Sequence, residues 1–396
     1  MRTGNINSAV ISAKTPAMVM PMSRKGSDSS QTTGYNSSAM SASGQHKNSR
    51  MQKSSSLITA TTPSRKRVRE VRGKGSATAE TRAGPETVGS FAGELERIVA
   101  IDWSGDASAA GQRRKIWAGV WRAGAGGVLG GSVALEGGRT RAQLVDALLA
   151  MARETPRMIV GVDFCFSYPA WFVREHGAAS ATEFWQIVAA HGERWLAREC
   201  EEARFWGRTG PRRTGKKPAE FRGDAGALRM LRRADEACKV RAAILDAALA
   251  ARVKGIAPKS PFQIGGAGAV GTGTLRGIPE LQRLHAAGFK VWPFEEPALR
   301  AKMARPLMVE IYPRLLTGEV HKGSAKARAA WLAARSGDAG YRALGRGVLA
   351  KARASEDAFD ALASVMAMAE RRASFLALRK ATDPVTLMEG AVWGAG

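Results

Sequence analysis

The chain has 396 residues, a formal charge of +25, and 44% hydrophobic and 24% charged residues, the composition of a water-exposed globular protein. No apolar run approaches the ~18 residues needed to cross a bilayer, so no membrane span is expected. Three cysteines, Cys165, Cys200 and Cys238, with no C-x-x-C pair, argue against a disulfide framework and a structural zinc site; they read as small buried apolar residues in a reducing, cytoplasmic protein.

Residues 1–92 read as a disordered, basic, Ser/Thr-rich segment with no sustained apolar period. Residues 1–90 hold 14 Lys+Arg against 4 Asp+Glu, so +10 of the charge lies there and +15 in the remainder. The run Arg65-Lys66-Arg67-Val68-Arg69 suits a nucleic-acid contact or a cellular address, and the Ser-rich, acid-poor opening resembles an organellar transit peptide. A solvated tail, or sequence translated from upstream of the true start, outweighs those readings. Deleting residues 1–90 is therefore expected to leave the thermal midpoint nearly unchanged; a large drop in a melting curve would place the segment inside the fold.

One α/β domain is expected over residues 93–396, with a central mixed sheet flanked by helices. Ile98-Val99-Ala100-Ile101-Asp102 is an apolar run ending in a carboxylate, as a buried central strand reads. Residues 115–121 alternate, residues 127–135 lie between glycine pairs, and the three strands are spaced as an antiparallel meander. A helix starts at Thr140, with Leu144, Leu148 and Leu149 at helical spacing. Met158-Ile159-Val160-Gly161-Val162-Asp163 is a second buried strand ending in Asp. A largely helical insertion of about 170–255 follows, broken by a basic loop over 205–221. A glycine-rich loop, a short helix over 279–287 ended by Gly288 and a strand over 289–294 come next. Met308-Val309-Glu310-Ile311-Tyr312-Pro313 reads as a strand with Glu310 in its middle. The last helix is placed over 355–376, with Ser355 as its N-cap.

Carboxylates are rare on apolar strands and need a reason there. Asp102 and Asp163 end two strands, Glu310 interrupts a third, and Asp357 and Asp360 lie three apart on the last helix, where both can face one way. Singly, each reads as a turn or cap residue. As an ordered set they read as a site, because clustered carboxylates repel one another and take up protons unless a cation holds them ionised. Oxygen-only ligation without His or Cys suits Mg²⁺ or Mn²⁺, and two such ions ~4 Å apart suit phosphodiester cleavage.

The order strand-Asp, two strands, helix, strand-Asp, late strand-Glu and final helix with Asp-x-x-Asp resembles the ribonuclease-H-like superfamily. The strings Val99-Ala100-Ile101-Asp102-Trp103-Ser104-Gly105, Gly161-Val162-Asp163-Phe164 followed by Ser167 and Pro169, Val309-Glu310-Ile311-Tyr312-Pro313, and Glu356-Asp357-Ala358-Phe359-Asp360-Ala361-Leu362 look like its branch of nucleases known as domain-of-unknown-function family 429. The last string is also similar to the final helix of Holliday-junction resolvases. The resemblance covers most of 94–396 and implies a metal-dependent nuclease. It implies that Asp102 bridges two metals, that Asp163 is the second acidic strand position, and that Asp360 and Asp357 complete the site. Glu310 would either bind metal or orient Arg314. The stretch between Asp163 and Glu310 is far longer than in a minimal ribonuclease H.

Gly266-Ala267-Gly268-Ala269-Val270-Gly271 imitates a dinucleotide fingerprint, but Pro258 and Pro261 precede it and Gly273, Gly277 and Pro279 are expected to delay the helix. As a phosphate cradle the loop would use Lys259, Gln263, Thr272, Thr274 and Arg276; as a purely structural loop it would only need positive φ. Arg204-Phe205-Trp206-Gly207-Arg208, Arg212, Arg213, Lys216 and Lys217 put aromatic rings among cations, a pattern for stacking on bases and holding phosphates of DNA or RNA. His176, His191, His285 and His321 are scattered and read as structural or surface residues rather than ligands. The leading expectation is a nuclease. A nucleotide-binding phosphotransfer enzyme and a non-catalytic nucleic-acid-binding module are the alternatives.

Overall fold

The structure is a computed structural model and describes residues 95–124, 129–199, 202–211, 213–248, 258–266, 268–318 and 320–395, with the side chains of 242–248 left out. The expected disordered segment 1–92, Cys200 and Arg212 lie outside the described residues. In chain order the first elements are β1 (Arg97–Asp102), α1 (Ala109–Lys115), β2 (Trp117–Ala123), β3 (Gly131–Gly137), α2 (Arg141–Glu154) and β4 (Met158–Val162). The insertion holds α3 (Ala170–Glu175), α4 (Ala181–Leu196), the hairpin β5 (Thr209–Gly210) and β6 (Arg213–Thr214), α5 (Gly223–Arg229) and α6 (Arg233–Ala248). After it come α7 (Val270–Ala286), β7 (Lys290–Val291), β8 (Leu307–Glu310), α8 (Pro313–Thr317), α9 (Ala325–Ala334), α10 (Ala339–Arg342), α11 (Arg346–Ala354), α12 (Glu356–Glu370), α13 (Arg372–Phe375) and α14 (Thr386–Glu389). Among the described residues no helix is long and apolar enough to cross a membrane.

The protein is an α/β protein with a six-stranded mixed sheet in the order β3-β2-β1-β4-β8-β7. The strand pairs β3–β2 and β2–β1 are antiparallel, while β1, β4, β8 and β7 run parallel. β1 is central and buried on both faces, which is why its sequence is a continuous apolar run rather than an alternation. Its residues divide by period two: Val99 and Ile101 join the core under α2, α4 and α7, while Ile98 and Ala100 join the core under α9, α11 and α12.

α12 is capped by Ser355, whose hydroxyl accepts from the Ala358 N–H at 3.2 Å, and its buried stripe contains Ala358, Ala361, Leu362 and Val365. It lies close on the sheet because Gly119 of β2 has no side chain; a Cβ there would sit 2.5 Å from the Ala361 carbonyl oxygen. That close approach brings the acidic end of α12 up to the ends of β1 and β4.

Several boundaries move. α1 was not legible, and β2 begins at Trp117 after it. The third strand starts at Gly131, the last long helix ends at Glu370, and β8 stops at Glu310 because Pro313 opens α8. The largest shift is α7, which starts at Val270 rather than 279 and carries Pro279 inside it. Gly271 and Gly277 are helical and serve packing: a Cβ would meet the Pro261 oxygen at 2.1 Å or the Phe164 ring at 2.7 Å. The glycine run therefore does open directly into a helix. What separates it from a dinucleotide fingerprint is the missing strand before it: described residues 258–269 hold an isolated bridge, Trp206 to Gln263, and no strand.

Candidate metal centre

Strand register decides which carboxylates meet. Ile101 of β1 stands beside Val162 of β4, and Val162 beside Glu310 of β8. The next residue on each of the first two strands is Asp102 or Asp163, so the aspartates share the α12 face, while Glu310, one position out of phase, points to the other. Asp360 of α12 comes over the aspartate face, is 1% exposed, and has one carboxylate oxygen, Oδ1, with no hydrogen-bond partner. Asp357 stands one turn earlier and is half-buried.

The Trp103 N–H donates to Asp163 Oδ1 at 2.7 Å, tying the end of β1 to the end of β4. The loop after β1 is clamped from two sides. Arg141 donates to the carbonyls of Ser104 and Asp106 at 2.9 and 2.7 Å, and Arg276 donates to the Gly105 carbonyl at 2.6 Å. Gly105 permits this seat, since a Cβ would lie 2.6 Å from the Gly273 nitrogen.

Electrostatically the four aspartates form one system. Burial, and then the charges of Asp163, Asp360 and Asp357, push the Asp102 carboxyl well above the usual range. Burial likewise lifts Asp163 to about 7, against the opposing Trp103 N–H and Lys322. Burial, with Glu356 and Asp360, lifts Asp357 to about 6, and burial also raises Asp360. The main opposing charge is Lys322, in the loop between α8 and α9. Its ammonium pairs with Asp360 Oδ2, and the attraction of Asp360, Asp102 and Asp163 outweighs its own burial. Lys322 escaped the sequence reading because a glycine-flanked loop has no period to give it away. Asp163, Asp360, Lys322, Lys259 and Arg314 line one cavity of about 400 Å³.

Glu310 requires a correction. Expected at the metal site or on Arg314, it is held by Arg232, whose guanidinium donates to both Glu310 oxygens at 2.5 and 2.8 Å and to both Asp235 oxygens at 2.7 and 3.1 Å. Arg232 is 0% exposed, and Glu310 also accepts from the Phe166 N–H at 3.0 Å. Among the described residues, Cys165, Asp235 and Glu310 are the trio whose ligand atoms all lie within 4.8 Å of one another. Arg232 already neutralises that trio's carboxylates, and burial pushes the Cys165 thiol up, so its donor set does not fit a metal. The aspartates stand more open, around Lys322. Their oxygen-only donors and the unpartnered Asp360 oxygen, with Lys322 paired to one of the four acids, do fit a hard divalent cation.

Comparisons with protein-family models, with curated proteins and with solved structures find no match. The geometry alone therefore carries the functional reading.

The expected nucleic-acid contacts are redistributed. Lys259 and Arg208 are exposed, Lys259 on the cavity. Thr272 and Thr274 are buried, the first donating to the Ile264 carbonyl at 2.8 Å and the second accepting from the Cys165 N–H at 3.2 Å. Arg276 is committed to Gly105 and to Glu193 at 2.7 Å. Gln263 donates to the Gly265 carbonyl at 3.2 Å. Arg213, expected on a nucleic-acid phosphate, is 4% exposed and donates to the carbonyls of Trp195 and Ala197, ending α4. Phe205 and Trp206 are buried too, among Tyr168, Phe172, Phe221 and Phe262, so they stack on protein and not on bases. Cations on a loop read as phosphate contacts, yet unsatisfied carbonyls at a helix end are strong sinks for guanidinium donors.

The raised aspartates give a pH signature. A folded carboxyl that holds its proton more tightly than the unfolded chain stabilises the fold at low pH, and that contribution is lost as pH rises through the folded value. With Asp163 at about 7 and Asp357 at about 6, the metal-free protein is expected to melt highest near pH 5 and to lose several degrees by pH 8. Melting curves in chelator across that window check it. A midpoint that climbs with pH would show that the aspartates do not share their charge.

Proposed function

We propose that this protein is a metal-dependent nuclease of the ribonuclease-H-like kind, hydrolysing phosphodiester bonds of DNA or RNA. The observation that carries the reading is the pair Asp163 and Asp360 lining one cavity, with Asp102 close enough for both to push its carboxyl up and a buried Asp360 oxygen left without a partner. The strand order, antiparallel through β3-β2-β1 and parallel beyond, is compatible with that fold. Asp102, Asp163, Asp360 and Asp357 would hold Mg²⁺ or Mn²⁺. Bound there, the cation supplies positive charge to the attacking and leaving oxygens of the phosphodiester. Lys322, its side chain 42% exposed, can leave Asp360 and meet a phosphate oxygen. Lys259, Arg208 and the +15 charge of residues 91–396 favour a polyanionic partner.

The test is cleavage of a mixed panel of DNA and RNA substrates with Mn²⁺, wild type beside Asp163→Asn. Cleavage by wild type that disappears in the variant is the expected result, and cleavage retained by the variant removes the aspartates from the chemistry. Lys322 favours a second reading, the non-catalytic nucleic-acid-binding module, in which it is a permanent counter-ion. That reading requires nucleic-acid binding with no cleavage and no stabilisation by divalent cation.

A further inference from the structure

Asp163 and Asp360 are only a small part of the lining of their cavity. Trp103, Phe164, Tyr312, Pro313 and Val320 give it apolar walls, three of them aromatic. The Trp103 and Phe164 rings brace each other, with centroids 5.1 Å apart at 51°. Gly273 leaves the wall beside Trp103 open, the nearest heavy atom to its absent Cβ being Trp103 Cδ1 at 3.8 Å. A cation or a bare phosphate gains nothing from such walls, whereas a flat ring gains burial and stacking. The volume of about 400 Å³ lies within the ~300–1,000 Å³ of small-molecule sites, which are likewise mostly apolar with a few placed polar groups. Those polar groups here include the carboxylates of Asp163 and Asp360 and the cations Lys259, Arg314 and Lys322, the complement of a phosphorylated molecule whose body is an aromatic ring.

We propose that the cavity receives a single nucleobase, turned out of its stack, while the attached phosphate lies at the aspartates. The proposal rests on the nuclease reading and narrows its substrate to single-stranded or locally unpaired nucleic acid, because a base stacked within a duplex cannot enter a chamber of this kind. Trp103 is the stacking residue, and Val320 and Pro313 complete the apolar lining.

Calorimetric binding to the full chain in Ca²⁺ tests the pocket without requiring cleavage, using a nucleoside 5′-monophosphate against ribose 5-phosphate. The nucleotide is expected to bind about tenfold tighter, the worth of one base on an aromatic platform. Trp103→Ala should remove that preference and Val320→Gln should weaken it, the second variant guarding against misfolding of the first. Equal affinity for the two ligands, no binding of either at millimolar concentration, or a preference unchanged in both variants overturns the pocket. Base-dependent binding without cleavage of any nucleic acid keeps the pocket and removes the nuclease reading. Cleavage with equal binding does the reverse.

Discussion

Asp102→Asn is expected to abolish metal-dependent cleavage while leaving the metal-free protein as stable as wild type, or more so. Asp102 ends the central strand, where burial and three neighbouring carboxylates all oppose its charge. Asn keeps the shape and removes the repulsion, so the metal-free melting temperature should hold or rise. The loss of activity should exceed the ~10–100-fold that follows removal of a mere outer-shell partner of a metal. Divalent cation at 100 times its dissociation constant should stabilise wild type by about 2.7 kcal/mol and the variant much less. Paired melting curves with and without Mg²⁺, beside the cleavage assay, check this. A variant that melts far lower without metal, with equal metal shifts in both proteins, would make Asp102 a structural turn residue and the binding module the better account.

Arg232→Met should be the most destabilising single change in the insertion. It leaves Glu310 and Asp235 buried with no cation, where the pair now makes four hydrogen bonds to the guanidinium. Breaking one side of a buried ion pair costs about 3–5 kcal/mol, or roughly 6–20 °C for a domain of this size. Two further measurements identify the cause. Adding Glu310→Gln should recover part of the loss, since one of the stranded charges disappears. The deficit should also shrink as pH falls, because burial already raises Glu310 and the variant raises it further, so the protonated acid is the form the fold tolerates. A deficit insensitive to both pH and the second substitution would mean that Arg232 matters only by its bulk.

The sheet was legible where burial leaves a continuous apolar run: β1 and β4, with their terminal aspartates, and α12 with its Ser355 cap all stand where periodicity and capping put them. The face of Glu310 was not legible, since it depends on the registers β1–β4 and β4–β8 together, and a string of five residues carries no register. Arg232 was invisible for the same reason, being 78 residues from its partner. The start of α7 was missed because Gly271, Gly273 and Gly277 look like helix breakers until the Pro261 carbonyl and the Phe164 ring are seen pressed against two of them. The phosphate-contact reading failed for Arg213 and Arg276 because local sequence shows a cation but not the carbonyls that claim it.

The two arginines that grip the loop after β1 have a consequence for recognition. Arg141 and Arg276 reach residues 104–106 from α2 and α7, so the backbone beside Asp102 and Trp103 is fixed by elements anchored deep in the core. A ligand arriving there meets a surface whose conformational freedom was already lost on folding. Its affinity is then set by contact and charge alone, with little loop ordering to oppose it, and selectivity falls to the shape of a rigid mould instead of an adaptable flap.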